Sequence, residues 1–226
     1  MAPGSDLPLQ TEESHTAAGG ERVTAAAWLS CCALVAGLLA ILFYPVFTQG
    51  RVFFHGDLFR FFEPAREFHR DCLLRGDLPL WNRHIGCGYP QLAEGQIQAF
   101  YPPTVILTAL LPAPSALSAI ILLHLWLAGL FSAALARSVG AGAWGMAAAA
   151  VLGSLNGFVI ARIMQPSILC AAAWLPLALA LTVKTIKTGS PVIVLWLALA
   201  IAMQGLCGSP PLLFYTFLAV LLVAFT

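Results

Sequence analysis

Apolar positions in this chain run together rather than alternate, and short polar joints separate the runs. Residues 23–47 form the first run; about 20 apolar residues are enough to cross a hydrocarbon core of about 30 Å. Trp28 and Tyr44 fall near its ends, where amphipathic rings favour the membrane interface. Further runs at 115–136, 144–160, 167–183, 192–206 and 211–225 predict five more spans. Their connections carry Arg137, Arg162, Lys184 with Lys187, and Gly208-Ser209-Pro210. The expected organisation is a disordered cytoplasmic tail over 1–22, a first transmembrane helix over 23–48, an extracytoplasmic loop over 49–112 and five transmembrane helices over 113–226. No polar cap follows the last run, as expected of the N-terminal part of a longer protein.

Between the first two spans the pattern changes. Pro64 suits the first turn of a helix, with Glu63 as its N-cap, and Gly76 suits its stop. Ala65, Phe68 and Cys72 recur at helical spacing, and Phe61 extends the stripe backward. Arg66, Glu67, Arg70 and Asp71 occupy other faces. Such an amphipathic helix can lie on a membrane surface or pack on the rest of the loop. Gly76-Asp77-Leu78-Pro79 is a turn, and a Gly-rich stretch follows Trp81-Asn82. The apolar segment inside 101–112 is bounded by Pro102, Pro103 and Pro112. It is too short to cross, so an interfacial or re-entrant helix is expected.

Composition reinforces the pattern. The 226 residues are 60% hydrophobic and 9% charged, against about 25% charged in soluble domains. No acid follows Glu94, consistent with a bilayer setting where an ionised group costs at least about 2.5 kcal/mol at mid-span. The formal net charge of +1 argues against a nucleic-acid partner. Six scattered cysteines form no metal-binding ladder; Cys72 and Cys87, facing an oxidising compartment, are candidates to pair. With six spans and an inside N-terminus, Arg22, Arg137, Lys184 and Lys187 lie on the cytoplasmic side. That orientation fits a multi-pass protein of the cell's inner (plasma) membrane.

The order of several short pieces carries a resemblance. GDLFRFFEP, RGDLPLWN and GYPQ follow the first span, then a Gln-rich approach to FYPP, with WLPLALAL and GSPPLLFY later. From about residue 23 onward the chain resembles bacterial YfhO-type membrane proteins, which are similar to multi-span glycosyltransferases of the GT-C fold. The resemblance implies an all-α, polytopic transmembrane helical protein built like the N-terminal GT-C module, with a helical extracytoplasmic first loop. It implies a polyprenyl-phosphate-linked sugar donor and a catalytic acid in that loop, at the position of Asp57.

As a partly desolvated carboxylate near the membrane surface, Asp57 suits a general base; it suits an N-cap equally. Arg60, Arg66, Arg83 and Arg162 have the forked donors that grip phosphate, Arg162 also fitting a snorkelling interface residue. Trp81 and Asn82 match the family's WN pair, Trp81 as a sugar-stacking ring or an interfacial anchor. Glu94 and Gln96 can bind sugar hydroxyls or face water. No cofactor is required; His55 beside Asp57 leaves a divalent metal as a lesser option. His124, alone inside a span, is either functional or hydrogen-bonded between helices. The leading expectation is an inverting transfer of sugar to an extracytoplasmic acceptor, with membrane lipids and other membrane subunits as partners. The alternatives are a non-catalytic structural or accessory subunit and, lacking any intramembrane charge relay, a transporter.

Overall fold

The computed structural model describes residues 25–225; the tail assigned to 1–22 lies outside them. Among the described residues the chain is all-α, with a single isolated bridge, Asn82 to Tyr89, and no strand. Four helical stretches are long and apolar enough to cross a membrane, so the protein is membrane-embedded. They are α1 (Ala25–Leu42), α5 (Ala113–Ser138), the pair α6 (Ala143–Leu155) and α7 (Gly157–Ala161), and α8 (Pro166–Thr188). The last two expected spans, α9 (Pro191–Leu206) and α10 (Pro210–Ala224), are apolar but have only 16 and 15 residues. They rise about 24 and 22 Å, short of the core of about 30 Å.

Several boundaries differ from the pattern for local reasons. The first run breaks at Phe43 into α1 and the short α2 (Tyr44–Thr48), because Pro45 cannot donate the next helical hydrogen bond. The expected span at 144–160 breaks at Asn156, whose side chain accepts from Val159 N at 3.0 Å and caps α7. α8 runs past its apolar stretch until Gly189, at φ +62°, stops it. Pro176 lies inside α8.

The loop is helical where expected. α3 (Glu63–Arg75) ends on Gly76, at φ 75°, whose N–H reaches the Cys72 and Leu73 carbonyls. Its start differs. Glu63 does not cap it; a single wide turn over Leu58–Phe62 runs directly into α3. Pro64 has no N–H for the preceding turn, and a widened turn accommodates that gap. α4 (Pro102–Leu110) is a nine-residue helix between the prolines.

The core centres on α5, which packs against α6 and α8, with α1 and α4 also on its flanks. At one end Lys187 Nζ donates to the Ser138 carbonyl at 2.6 Å, so the tips of α5 and α8 meet there. At the opposite end Gly95 lies against Gly208, in the turn between α9 and α10; a Cβ on Gly208 would sit 1.8 Å from the Gly95 carbonyl oxygen. The loop is therefore seated on the short α9–α10 hairpin, and α4 climbs back along α5.

Candidate functional site

The loop's seat is a buried polar network. Gln98, in the left-handed region at φ 59°, accepts from Thr104 at 2.9 Å and donates to the Cys207 carbonyl at 3.3 Å. Tyr101 is fully buried and joins His124 and Trp174. The Ile120 carbonyl, 2.6 Å from His124 Nδ1, can only accept, so Nδ1 carries the proton. His124 Nε2 then accepts from the Tyr101 hydroxyl at 2.7 Å, and that hydroxyl accepts from Trp174 Nε1 at 2.9 Å. His124 is thus a satisfied bond between elements. Gln204 adds a further tie, donating to the Ala171 carbonyl and to Thr216.

α3 sits on this seat through a charge. Arg66, a candidate to grip phosphate, is 1% exposed. Its Nη1 donates to the Ile97 carbonyl at 2.8 Å and faces His69 Nδ1 at 3.3 Å. Burial lowers its pKa to about 10, which leaves it charged at neutral pH. Desolvation first, then the Arg66 guanidinium, push His69 down to about 4, against an opposing pull from the Ala99 backbone. Arg66 thus points its charge inward, away from any donor phosphate at the surface.

Asn82 is buried as well, at 1% exposed. Its Nδ2 donates to Gln91 at 2.7 Å, its Oδ1 accepts from His84 N at 2.9 Å, and Gln91 passes the chain on to the Ala65 carbonyl at 2.6 Å. Trp81 beside it is exposed and lies across Gly88, where a Cβ would come within 2.3 Å of the indole nitrogen. Glu94 accepts from the Tyr89 hydroxyl at 2.6 Å and from Gln96 Nε2 at 3.0 Å. The carboxylate holds the Tyr89 phenol protonated, up to about 12. Cys72 and Cys87 are both free thiols, the first buried and the second exposed.

Asp57 stands at the start of the wide turn, exposed, with no side-chain capping bond. No protein surface provides the desolvation expected for it. Beside it is an open cleft of about 520 Å³ lined by Phe54, His55, Gly56, Phe59 and Arg60. Phe54 and Phe59 form its aromatic wall, ring centroids 4.5 Å apart. Gly56, at φ +54°, comes so close to the turn after α7 that a Cβ there would lie 3.2 Å from Met164 Sδ. Arg162 is in that turn, its guanidinium 5.5 Å from the Phe158 ring centroid and bonded to Gln165.

The segments that carry Asp57 and Arg162 thus meet at Gly56 and Met164, and Arg60 lines the adjoining cleft. Trp81 lines a different cleft with Phe68, Arg83 and His84, and neither Asn82, Glu94 nor Gln96 lines the cleft beside Asp57. No group of three or more His, Cys, Asp or Glu side chains converges as a metal site among the described residues. The Phe54–Phe59 pair and the Met164 contact are what sequence reasoning missed; FFHGDLFRFF carries the aromatic signal, whereas the contact with Met164 is non-local. Comparison with known protein families, with curated proteins and with solved structures found no match.

Proposed function

We propose that the chain is a membrane glycosyltransferase-like protein, or part of one, that moves a sugar from a polyprenyl-phosphate carrier to an acceptor outside the cytoplasm. The approach of Gly56 to Met164 carries this reading, because it sets the segment of Asp57 against the turn of Arg162. Asp57, free of capping duty, accepts the proton of an acceptor hydroxyl. That oxygen attacks the anomeric carbon as the bond to the carrier phosphate breaks, and the phosphate leaves with the electron pair. One displacement inverts the configuration. Arg60 and Arg162 hold the phosphate by forked hydrogen bonds, and the aromatic wall offers a face to the sugar. Trp81 offers a ring to an acceptor in its own, separate cleft, while Asn82, Glu94 and Gln96 are bonded within the loop and take a supporting part; no cofactor is assigned.

The test is sugar transfer by the full chain in vesicles, using a panel of polyprenyl-phosphate-linked hexoses. Asp57→Asn is expected to lower transfer about 100-fold or more with insertion and folding unchanged. Undiminished transfer by that variant removes Asp57 as the base. A second reading, a non-catalytic accessory subunit, draws on the internal bonding of Asn82, Glu94, Gln91 and Gln98; it predicts no transfer by either protein.

A further inference from the structure

The cleft that holds Trp81 is built from the segment after α3 and one face of that helix, and has a volume of about 640 Å³. Small-molecule sites span roughly 300–1,000 Å³. Arg75, Asp77, Trp81, Arg83 and His84 all line it. The segment is braced from within the loop. Asn82 and Tyr89 exchange backbone hydrogen bonds at 2.8 and 2.9 Å, and the buried Asn82 side chain fixes the His84 N–H. The His84 ring meets Phe68 of α3 in a T-shaped contact, centroids 6.2 Å apart. Gly88, at φ +107°, packs against Nε1, Cε2 and Cζ2 of Trp81, one edge of the indole. The ring is held by that edge yet stays 57% exposed, so its π surface is offered to the cleft.

The charges around that ring do not cancel. Arg75 Nε pairs with Asp77 Oδ2 at 3.4 Å, and Arg75 Nη2 reaches the Cys72 thiol. Arg83 is exposed and has neither an ion pair nor a hydrogen bond among the described residues. An uncommitted guanidinium and an indole face on one cleft complement a sugar ring that carries an anionic group. The apolar C–H face of a pyranose stacks on the indole, and the anionic group takes the forked donors of Arg83. Asp77 accepts from ring hydroxyls. We infer that this cleft binds an acidic pyranose, bearing a carboxylate or a phosphate. The inference rests on the reading in which Trp81 serves the acceptor and adds that acceptor's charge. A neutral sugar would leave Arg83 without a partner.

The experiment is calorimetric titration of the full chain in lipid nanodiscs with a galacturonic acid trimer, the neutral galactose trimer and a hexose monophosphate. The acidic trimer is expected to bind about tenfold more tightly than the neutral one, the scale of a hydrogen bond to a charged group. Arg83→Gln is expected to remove that advantage and leave the neutral trimer unchanged. Trp81→Ala is expected to weaken both, and Trp81→Phe, which keeps an aromatic face, to restore part of the loss. Arg137→Gln, in the last turn of α5, is expected to change neither. Should Trp81→Ala fail to fold, Arg83→Gln decides alone. Equal binding of the two trimers, no binding of either, or an acidic preference that survives Arg83→Gln overturns the site. Hexose monophosphate bound with the same dependence on Arg83 supports the site and makes phosphate a group it reads. Asp57→Asn separates the two ideas: acidic trimer bound with transfer lost supports both. No binding with transfer lost defeats the cleft alone, and intact transfer defeats the base alone.

Discussion

A buried cation with no carboxylate paired to it among the described residues sets the behaviour of the loop at the scale of single residues. Arg66 faces a carbonyl and a histidine, and a second positive charge on that histidine is unfavourable. His69 has an ordinary pKa of 6.5, lowered to about 4 in the docked loop. The unfolded chain therefore binds more protons between those values, and stability rises with pH across that window. The contribution is complete above pH 6.5 and fades as pH falls toward 4. At one pKa unit per 1.36 kcal/mol, the loss is on the order of 3 kcal/mol. Thermal unfolding of the full chain at pH 7 and pH 4.5 is expected to show a larger drop for the native protein than for His69→Gln. Equal drops would remove His69 as the cause.

The polar residues that build this seat were the least legible in the sequence. Arg66 and Asn82 read as substrate contacts and Gln98 as a residue without a role, because charge and amide groups are seldom buried without partners. Their partners, the Ile97, Ala65 and Cys207 carbonyls and neighbouring amides, belong to backbone that no periodicity reveals. Asp57 was singled out by resemblance, and its neighbour Met164 is more than 100 residues away.

At the scale of elements, the apolar runs and the proline and glycine signals foretold most helices. The stop at Gly76 and the nine-residue α4 followed from local chemistry. The breaks at Phe43 and Asn156 did not show as interruptions in hydropathy. The seating of the loop on the α9–α10 turn was not legible at all, because it depends on two glycines far apart in sequence. That contact gives a comparison between glycines. Gly208 and Gly189 both have positive φ, but only Gly208 has backbone where a Cβ would go. Gly189→Ala is expected to cost about 1 kcal/mol of conformational strain. Gly208→Ala must also displace Gly95 and is expected to cost several times as much. Limited proteolysis of the loop in the inserted protein is the check: Gly208→Ala should accelerate cleavage and Gly189→Ala should not.

For the whole molecule, the carboxylates are sorted by end, while basic residues occur at both, with Arg51, Arg60, Arg66, Arg70, Arg75, Arg83 and Arg162 on the loop side. Arg137, Lys184 and Lys187 gather where α5 and α8 terminate, while the acids of the described residues all lie on the loop side, in residues 57–94. We propose on that basis that the loop faces outward and the lysines face the cytoplasm. Membrane-impermeant maleimide applied to intact cells is expected to label the exposed Cys87. A Lys184→Cys variant is expected to react only after permeabilisation. The reverse pattern would invert the topology and withdraw Asp57 from the outer face.

The seating of Gln98 on the Cys207 carbonyl, across 109 residues of chain, has a consequence for biogenesis. The loop leaves the translocation machinery before its own foundation has been synthesised. At roughly 5–20 residues per second, it waits on the order of 5–20 s for the α9–α10 hairpin. During that interval the Gln98 amide lacks its Cys207 partner. Translation speed through the second half of the message thus governs how long the newborn loop is open to surveillance proteases.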